Sequence, residues 1–360
     1  MPGDAAVTGV RMSSVCGSLC DGRIMQRVRA RARTAVAFEA PARRLVAMLA
    51  VAAAALVAAP GALAEDAAAW LARAAQAARQ HNYVGTIVYQ HGGRVETSRL
   101  VHLNDNGMEF EKLVNLDGPA REVIRSQGEV RCYYPDAKVV RIEPRTFRNA
   151  FPSLSPMQQK ALGEFYTFRK AEAGRVAGVE AQAWVFEPKD GLRYGHKFWS
   201  DSATGLLLKA RIIDETGEVV EQFAFTDLAI GVRVDREMVR PSWPPAPPDW
   251  VVRAVGPEDV ELRDTGWSVG RLPPGFAKMV EGYRALRGRK QPVAHLIYSD
   301  GLVAVSVFIE NVGSAPHPTG LSQRSGTNIF VRQADDYLIT VLGEAPPAAM
   351  RQMAASVVRR

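Results

Sequence analysis

Hydrophobic and polar positions follow two rhythms along this chain. From Asp66, a residue type that caps helices, to about Gln80, the apolar residues Trp70, Leu71, Ala74, Ala75 and Ala78 recur at helical spacing. After Asn82 the period drops to two. Tyr83–Gln90, Arg94–Asn104 and Gly107–Leu116 read as strands, joined by Gly92-Gly93 and Asp105-Asn106-Gly107, residues that tolerate positive φ. Arg121–Ser126, Glu129–Tyr134 and Lys138–Glu143 continue an antiparallel meander. The pattern then breaks at Phe151–Gly163, where Ser155-Pro156 supplies a cap and a first-turn proline for a second helix. Strands resume at Tyr166–Lys170, Glu180–Pro188, His196–Ser200, Leu206–Ile213 and Val219–Leu228.

An antiparallel sheet of about ten to twelve strands curls, because twisted sheets of that size seldom stay open. The expected fold of residues 65–240 is therefore a large half-open β-barrel with helices on its concave face. Phe110, Trp184, Phe186, Phe198, Phe223 and Phe225 are the candidates for that face. As large apolar rings they can line a cavity for acyl chains or simply fill a core.

Five of the ten residues from Pro241 to Trp250 are proline, which ends whatever folds before it. Residues 241–255 read as a semi-rigid linker that Trp243 and Trp250 can dock on a neighbouring domain. Beyond it, 256–360 predict a smaller α+β domain. Its signals are a strand at Trp267–Val269, a strand ending at Tyr283, and a hairpin of His295–Ser299 with Leu302–Glu310 around the two-residue turn Asp300-Gly301. Another hairpin joins Asn328–Gln333 to Tyr337–Leu342. A terminal helix then follows Pro346-Pro347, with Met350, Met353, Ala354 and Val357 on one side. The whole chain is thus read as α+β with two domains.

Charge and cysteine content bear on the first 64 residues. They hold eight arginines against three acids, a net +5 of the chain's +7. Arg43-Arg44, the apolar run Leu45–Ala59 and Ala62-Leu63-Ala64 have the order of a cleaved signal peptide, with cleavage expected after Ala64. Whether export uses the general or the twin-arginine route is left open. Removal takes most of the basic excess with it, so no nucleic-acid partner is expected. It also takes Cys16 and Cys20, and Cys132, alone in the remainder, reads as a buried thiol with no disulfide.

Candidate chemistry is sparse. Gly266-Trp267-Ser268-Val269-Gly270 matches the pattern around a hydrolase nucleophile, with Asp300 and His317 downstream. The Leu272-Pro273-Pro274-Gly275 turn that follows leaves no room for the helix such a serine needs, so Ser268 is the weakest of three functional readings. The six histidines lack metal-ligand spacing, and there is no phosphate-binding glycine loop. No catalytic residue, metal or cofactor is expected. The residues describe an exported, β-rich binding protein.

Several blocks resemble one family. They are Tyr83-Val84-Gly85-Thr86-Ile87-Val88-Tyr89, Leu116-Asp117-Gly118-Pro119-Ala120-Arg121, Arg193-Tyr194-Gly195 and Thr204-Gly205-Leu206-Leu207-Leu208. Leu272-Pro273-Pro274-Gly275-Phe276, Tyr298-Ser299-Asp300-Gly301-Leu302 and Thr340-Val341-Leu342-Gly343-Glu344-Ala345-Pro346 continue them in order. Together they resemble the RseB/MucB family of periplasmic regulators of the envelope-stress sigma factor. The resemblance implies a first domain similar to the lipoprotein carriers LolA and LolB. It also implies a partner, the periplasmic domain of a membrane-spanning anti-sigma factor of the RseA/MucA type, shielded from regulated proteolysis. Lipopolysaccharide or a mislocalised lipoprotein is the implied acylated ligand that relieves the block. The family's partner-binding residues do not map onto single positions here, and a homodimer is left open. The alternative reading is a periplasmic lipid or lipoprotein carrier.

Overall fold

A computed structural model describes residues 60–126, 128–144, 162–254, 260–286, 289, 291–324 and 327–360. The apolar run Leu45–Ala59 and most of the helix expected at Phe151–Gly163 lie outside them; residues 162–165 are helical. The first helix, α1 (Pro60–Gln80), begins earlier than expected and includes the anticipated cleavage point.

α1 leads into β1 (Tyr83–His91), β2 (Arg94–Asp105), β3 (Met108–Asn115), β4 (Glu122–Ser126), β5 (Glu129–Tyr134) and β6 (Val139–Pro144). A second run comprises β7 (Tyr166–Val176), β8 (Val179–Pro188), β9 (Gly195–Asp201), β10 (Leu207–Ile213) and β11 (Val219–Ile230), with β12 (Val251–Ala254) after the prolines. All twelve strands share one sheet, in the order β12-β6-β5-β4-β3-β2-β1-β11-β10-β9-β8-β7. It is two meanders fused where β11 returns to pair antiparallel with β1. β12 and β7 are left as edges, so the sheet curls without closing.

Alternation decides which side chains meet α1. On one face Ala67, Trp70 and Leu71 pack with Tyr166, Phe168, Trp184, Phe186, Phe198 and Leu207. Farther along the helix, Ala77 packs with Tyr83, Leu100, Leu113, Val123, Cys132 and Phe225. The alanines let helix and sheet approach closely, and burying an aromatic side chain there is worth roughly 1.5–3 kcal/mol. The opposite face holds separate clusters, one of Val84, Val101, Leu103, Val234 and Val239 and another around Trp199 and Leu208.

The proline run is not a free spacer. Trp243 stacks on Tyr133 at 6.0 Å and meets Trp250 at 5.8 Å, and both indoles pack on the cluster of Ile124, Tyr133 and Val140. The main-chain N–H and hydroxyl of Ser242 also donate to the buried Glu122 carboxylate, at 2.8 and 2.5 Å. β12 then pairs with β6, the one parallel pairing in this sheet among the described residues. The chain therefore stays attached to the first sheet until residue 254.

The second sheet contains β13 (Val260–Glu261), β15 (Ala277–Arg284), β16 (Val293–Ser299), β17 (Ala304–Asn311), β18 (Gly320–Arg324), β19 (Thr327–Ala334) and β20 (Tyr337–Gly343). Their order is β13-β15-β16-β17-β20-β19-β18. β14 (Trp267–Val269) pairs with the terminal β21 (Val357–Arg359). α2 (Pro347–Ala355) lays Ala349, Met350, Met353 and Ala354 on this sheet, against Leu296, Val305, Val307, Ile339 and Val341. β18 was not expected from the sequence, because its exposed residues lack clear alternation.

One turn departs from expectation for a physical reason. The β16–β17 connection is four residues, 300–303, instead of the two-residue turn read at Asp300-Gly301. Asp300 Oδ1 accepts the main-chain N–H groups of Leu302 and Val303, at 3.0 and 2.9 Å. That wider loop frees Leu302 to enter the aromatic cluster beneath α1.

Candidate functional site

The site is assembled from that cluster and the junction beside it. Trp184, Phe186, Phe198 and Phe223 share the face under α1, and Trp70 lies 6.1, 6.0 and 5.8 Å from the first three rings. The Trp70 indole N–H donates to Ser200 Oγ at 2.8 Å, which fixes the helix against β9. Phe225 belongs to the adjoining cluster and meets Phe223 edge-on at 6.2 Å. Phe110 does not join them. It faces the other way, beside Val101 and Leu103 and under the Arg236 guanidinium at 4.5 Å, because its place in β3 has the opposite parity to Leu113.

Sequence reasoning did not single out His196. Its β9 position puts it on the same face as Phe198, against which its ring stacks at 5.6 Å. Tyr166 lies 6.0 Å from the same ring, tilted against it. The residue is 1% exposed, and burial lowers the pKa of its imidazole to about 3. Among the described residues neither ring nitrogen has a hydrogen-bond partner.

Tyr166 connects this cluster to the second sheet. Its hydroxyl donates to Asp300 Oδ2 at 3.0 Å, and Arg193 Nη1 donates to the same oxygen at 3.1 Å. Arg193 also donates to both oxygens of Asp190 and, at 2.6 Å, to the main-chain oxygen of Pro274. Its guanidinium lies over the rings of Phe165, Tyr166 and Phe276. Next to it, Asn328 donates to the Tyr194 hydroxyl at 3.0 Å and to Ala345 O at 2.9 Å. Burial, and then the charge of Asp300, pushes the Tyr166 phenol well above its usual range, so it stays protonated as a donor. Burial also works against the Arg193 charge, but Asp190, Tyr166 and Asp300 together raise its pKa.

The sequence contained a signal for this junction without showing its use. Arg193-Tyr194, Pro274-Gly275-Phe276, Asp300-Gly301-Leu302 and Ala345 all fall in the blocks that carry the family resemblance, and they converge here. Such an arrangement offers no nucleophile or leaving-group chemistry. It can hold two sheets in one orientation and tie that orientation to the packing under α1.

The remaining candidates fall elsewhere. Ser268 lies in β14 opposite Val358, not on a strand-to-helix elbow. Asp300 is committed to Arg193, and His317 Nδ1 is paired with its neighbour Ala315 O at 2.8 Å. Tertiary structure does gather His91, Glu221 and Glu344, whose donor atoms lie within 4.8 Å of one another. They are the one set among the described residues with donors for a metal, and spacing along the chain could not disclose it. His91 Nδ1 is already 3.1 Å from Glu221 Oε2.

Comparison with known proteins places these features. Residues 66–243 match the model of the MucB/RseB N-terminal domain, and residues 261–358 that of the MucB/RseB C-terminal domain. The chain is 32% identical over 315 residues to the sigma factor AlgU regulatory protein MucB of Pseudomonas aeruginosa, covering 84% of this chain and 94% of that protein. It is 25% identical over 283 residues to the sigma-E factor regulatory protein RseB of Escherichia coli K12, covering 78% and 87% respectively. Among solved structures, MucB in complex with MucA(peri) superposes with a TM-score of 0.66 at 30% identity, over 82% of this chain and 99% of that one. MucB by itself superposes with a TM-score of 0.56 at 30% identity, over 82% and 98%.

Proposed function

The chain belongs to the MucB/RseB family, and we propose that it acts as a periplasmic negative regulator of an envelope-stress sigma factor. In this reading it binds the periplasmic region of a membrane-spanning anti-sigma factor and protects it from regulated proteolysis. An acylated ligand, a lipopolysaccharide or a mislocalised lipoprotein, relieves that protection. The observation that carries the reading is the match to both family domains in order, extending over 94% of a curated sigma-factor regulator.

Two features of the fold support the regulatory part. The chain superposes on MucB in complex with MucA(peri) over 82% of its length, which supports a partner of the same kind. A ligand shifts binding of such a partner only through different affinities for the bound and free states. The aromatic cluster under α1 touches the junction through Tyr166 and Leu302, so a ligand that disturbs it acts on sheet docking directly. A simple lipid carrier, the alternative, has no use for a second sheet locked by Arg193 and Asp300.

The test is protease protection of the anti-sigma factor's periplasmic segment, titrated with lipopolysaccharide and with an acylated peptide. Protection without lipid and its loss on titration are expected. Absence of binding with and without lipid overturns the regulatory reading.

A further inference from the structure

We propose that His196 recognises the linkage of the acyl ligand, its ring N–H donating to the carbonyl of an ester- or amide-linked acyl group lodged among Trp184, Phe186 and Phe198. This rests on the lipid-responsive reading above and adds the chemistry the ligand must carry.

The argument begins with unspent hydrogen-bonding capacity. A neutral imidazole offers one donor and one acceptor, and buried groups of this kind are almost always paired. The polar groups next to His196 follow that rule, Trp70 with Ser200 and Tyr166 with Asp300. His196 departs from it at both nitrogens among the described residues, although it is as deeply buried as Phe186 and Phe198. A phenylalanine would fill the same space against Phe198 without the cost of two unpaired polar atoms.

The surroundings select the ligand class. Burial disfavours charge here, as the His196 pKa lowered to about 3 reflects, so an anionic group placed against the ring loses its hydration at a high cost. A carboxylate or phosphate is therefore disfavoured, whereas an uncharged carbonyl at the head of an alkyl chain is suited to a single N–H among aromatic rings. The chain itself would take the place that Trp70 fills, at the expense of the Trp70–Ser200 hydrogen bond. Occupancy would then be felt one ring away, at the Tyr166 hydroxyl that holds Asp300.

The experiment compares dioctanoylglycerol with its dioctyl ether counterpart, which lacks only the carbonyls. Binding to the full chain is followed by tryptophan fluorescence. The wild type is expected to bind the ester about five- to tenfold tighter than the ether, the value of one hydrogen bond. His196→Phe should lose that preference and keep the ether affinity, and His196→Gln, which retains an N–H donor, should recover part of it. Equal affinities for ester and ether in the wild type overturn the proposal without any variant needing to fold. An unchanged preference in His196→Phe overturns it as well. If the wild type binds neither compound, this inference fails, while the lipid-responsive reading stands or falls separately on the protease-protection titration.

Discussion

Arg193 and Asp300, 107 residues apart in sequence, meet with Nη1 3.1 Å from Oδ2. Neither side chain has more than 1% of its surface exposed. One belongs to the loop before β9 and the other to the loop after β16, so this ion pair joins the two sheets. Removing Arg193 leaves the buried Asp300 carboxylate without its cation, at a cost of about 3–5 kcal/mol, whereas Arg193 keeps Asp190 if Asp300 is removed.

Arg193→Met is accordingly expected to lower the stability of the full chain by about 3–5 kcal/mol. The double variant Arg193→Met with Asp300→Leu should be less damaging than Arg193→Met alone, because it leaves no unpaired carboxylate at position 300. Urea unfolding followed by tryptophan fluorescence measures both. A loss below about 0.5 kcal/mol for Arg193→Met is what a dispensable surface pair would show.

Gly275 stands against the same junction from the second sheet. Its φ is +79°, and a Cβ built there would lie 2.3 Å from Phe165 Cε2. Gly275→Ala therefore combines left-handed strain with a clash, and about 2–4 kcal/mol of destabilisation is expected. The midpoint of thermal unfolding reports it, and pairing the change with Phe165→Ala should restore part of the loss by removing the clash.

Stability should rise with pH between about 4.5 and 6.5. Burial lowers the pKa of both His196 and His295 to about 3, with Arg284 also acting on His295. The unfolded chain protonates both near pH 6.5 while the folded chain does not, so stability is complete above 6.5 and falls as pH drops toward 3. Two such groups give a slope of up to roughly 2.7 kcal/mol per pH unit. Urea midpoints at pH 4.5, 5.5 and 6.5 measure it, and His196→Phe should flatten the slope. An equal slope in that variant would show that His196 titrates normally.

Trp243 holds the proline run on the first sheet through Tyr133 and Trp250. Trp243→Ala should cost about 1–3 kcal/mol locally, less than a fully buried indole because the ring is half-exposed. The amides of Val251–Ala254 should then exchange at least about tenfold faster as β12 loosens, while those of β16 stay unchanged. Unchanged exchange in β12 would mean that its pairing with β6 holds without the tryptophan.

Much of the fold was legible because it is local. The change of period after Asn82, the Asn106-Gly107 turn and the Pro346-Pro347 start of α2 each act within a few residues, and strands or helices stand where they predict. The turn at Asp300 was misjudged for a non-local reason. The geometry of a two-residue hairpin is intrinsic to Asp-Gly, but Leu302 is buried in another part of the molecule and the loop widened to let it reach. Phe110 illustrates the limit of residue type, since its parity relative to Leu113, not its aromaticity, decides which cluster it enters.

By itself, the sequence determined the two β-rich regions, the helix that covers the first, and the family to which their ordered blocks belong. Periodicity and turn chemistry are properties of neighbouring residues, so these follow from short stretches. The tertiary structure decided that Arg193 meets Asp300, that His196 is buried with no partner among the described residues, that His91, Glu221 and Glu344 converge, and that the proline run docks. These relationships depend on strand order and on which face each strand presents. Those are settled by how the whole sheet curls over α1, and no window of the chain encodes them.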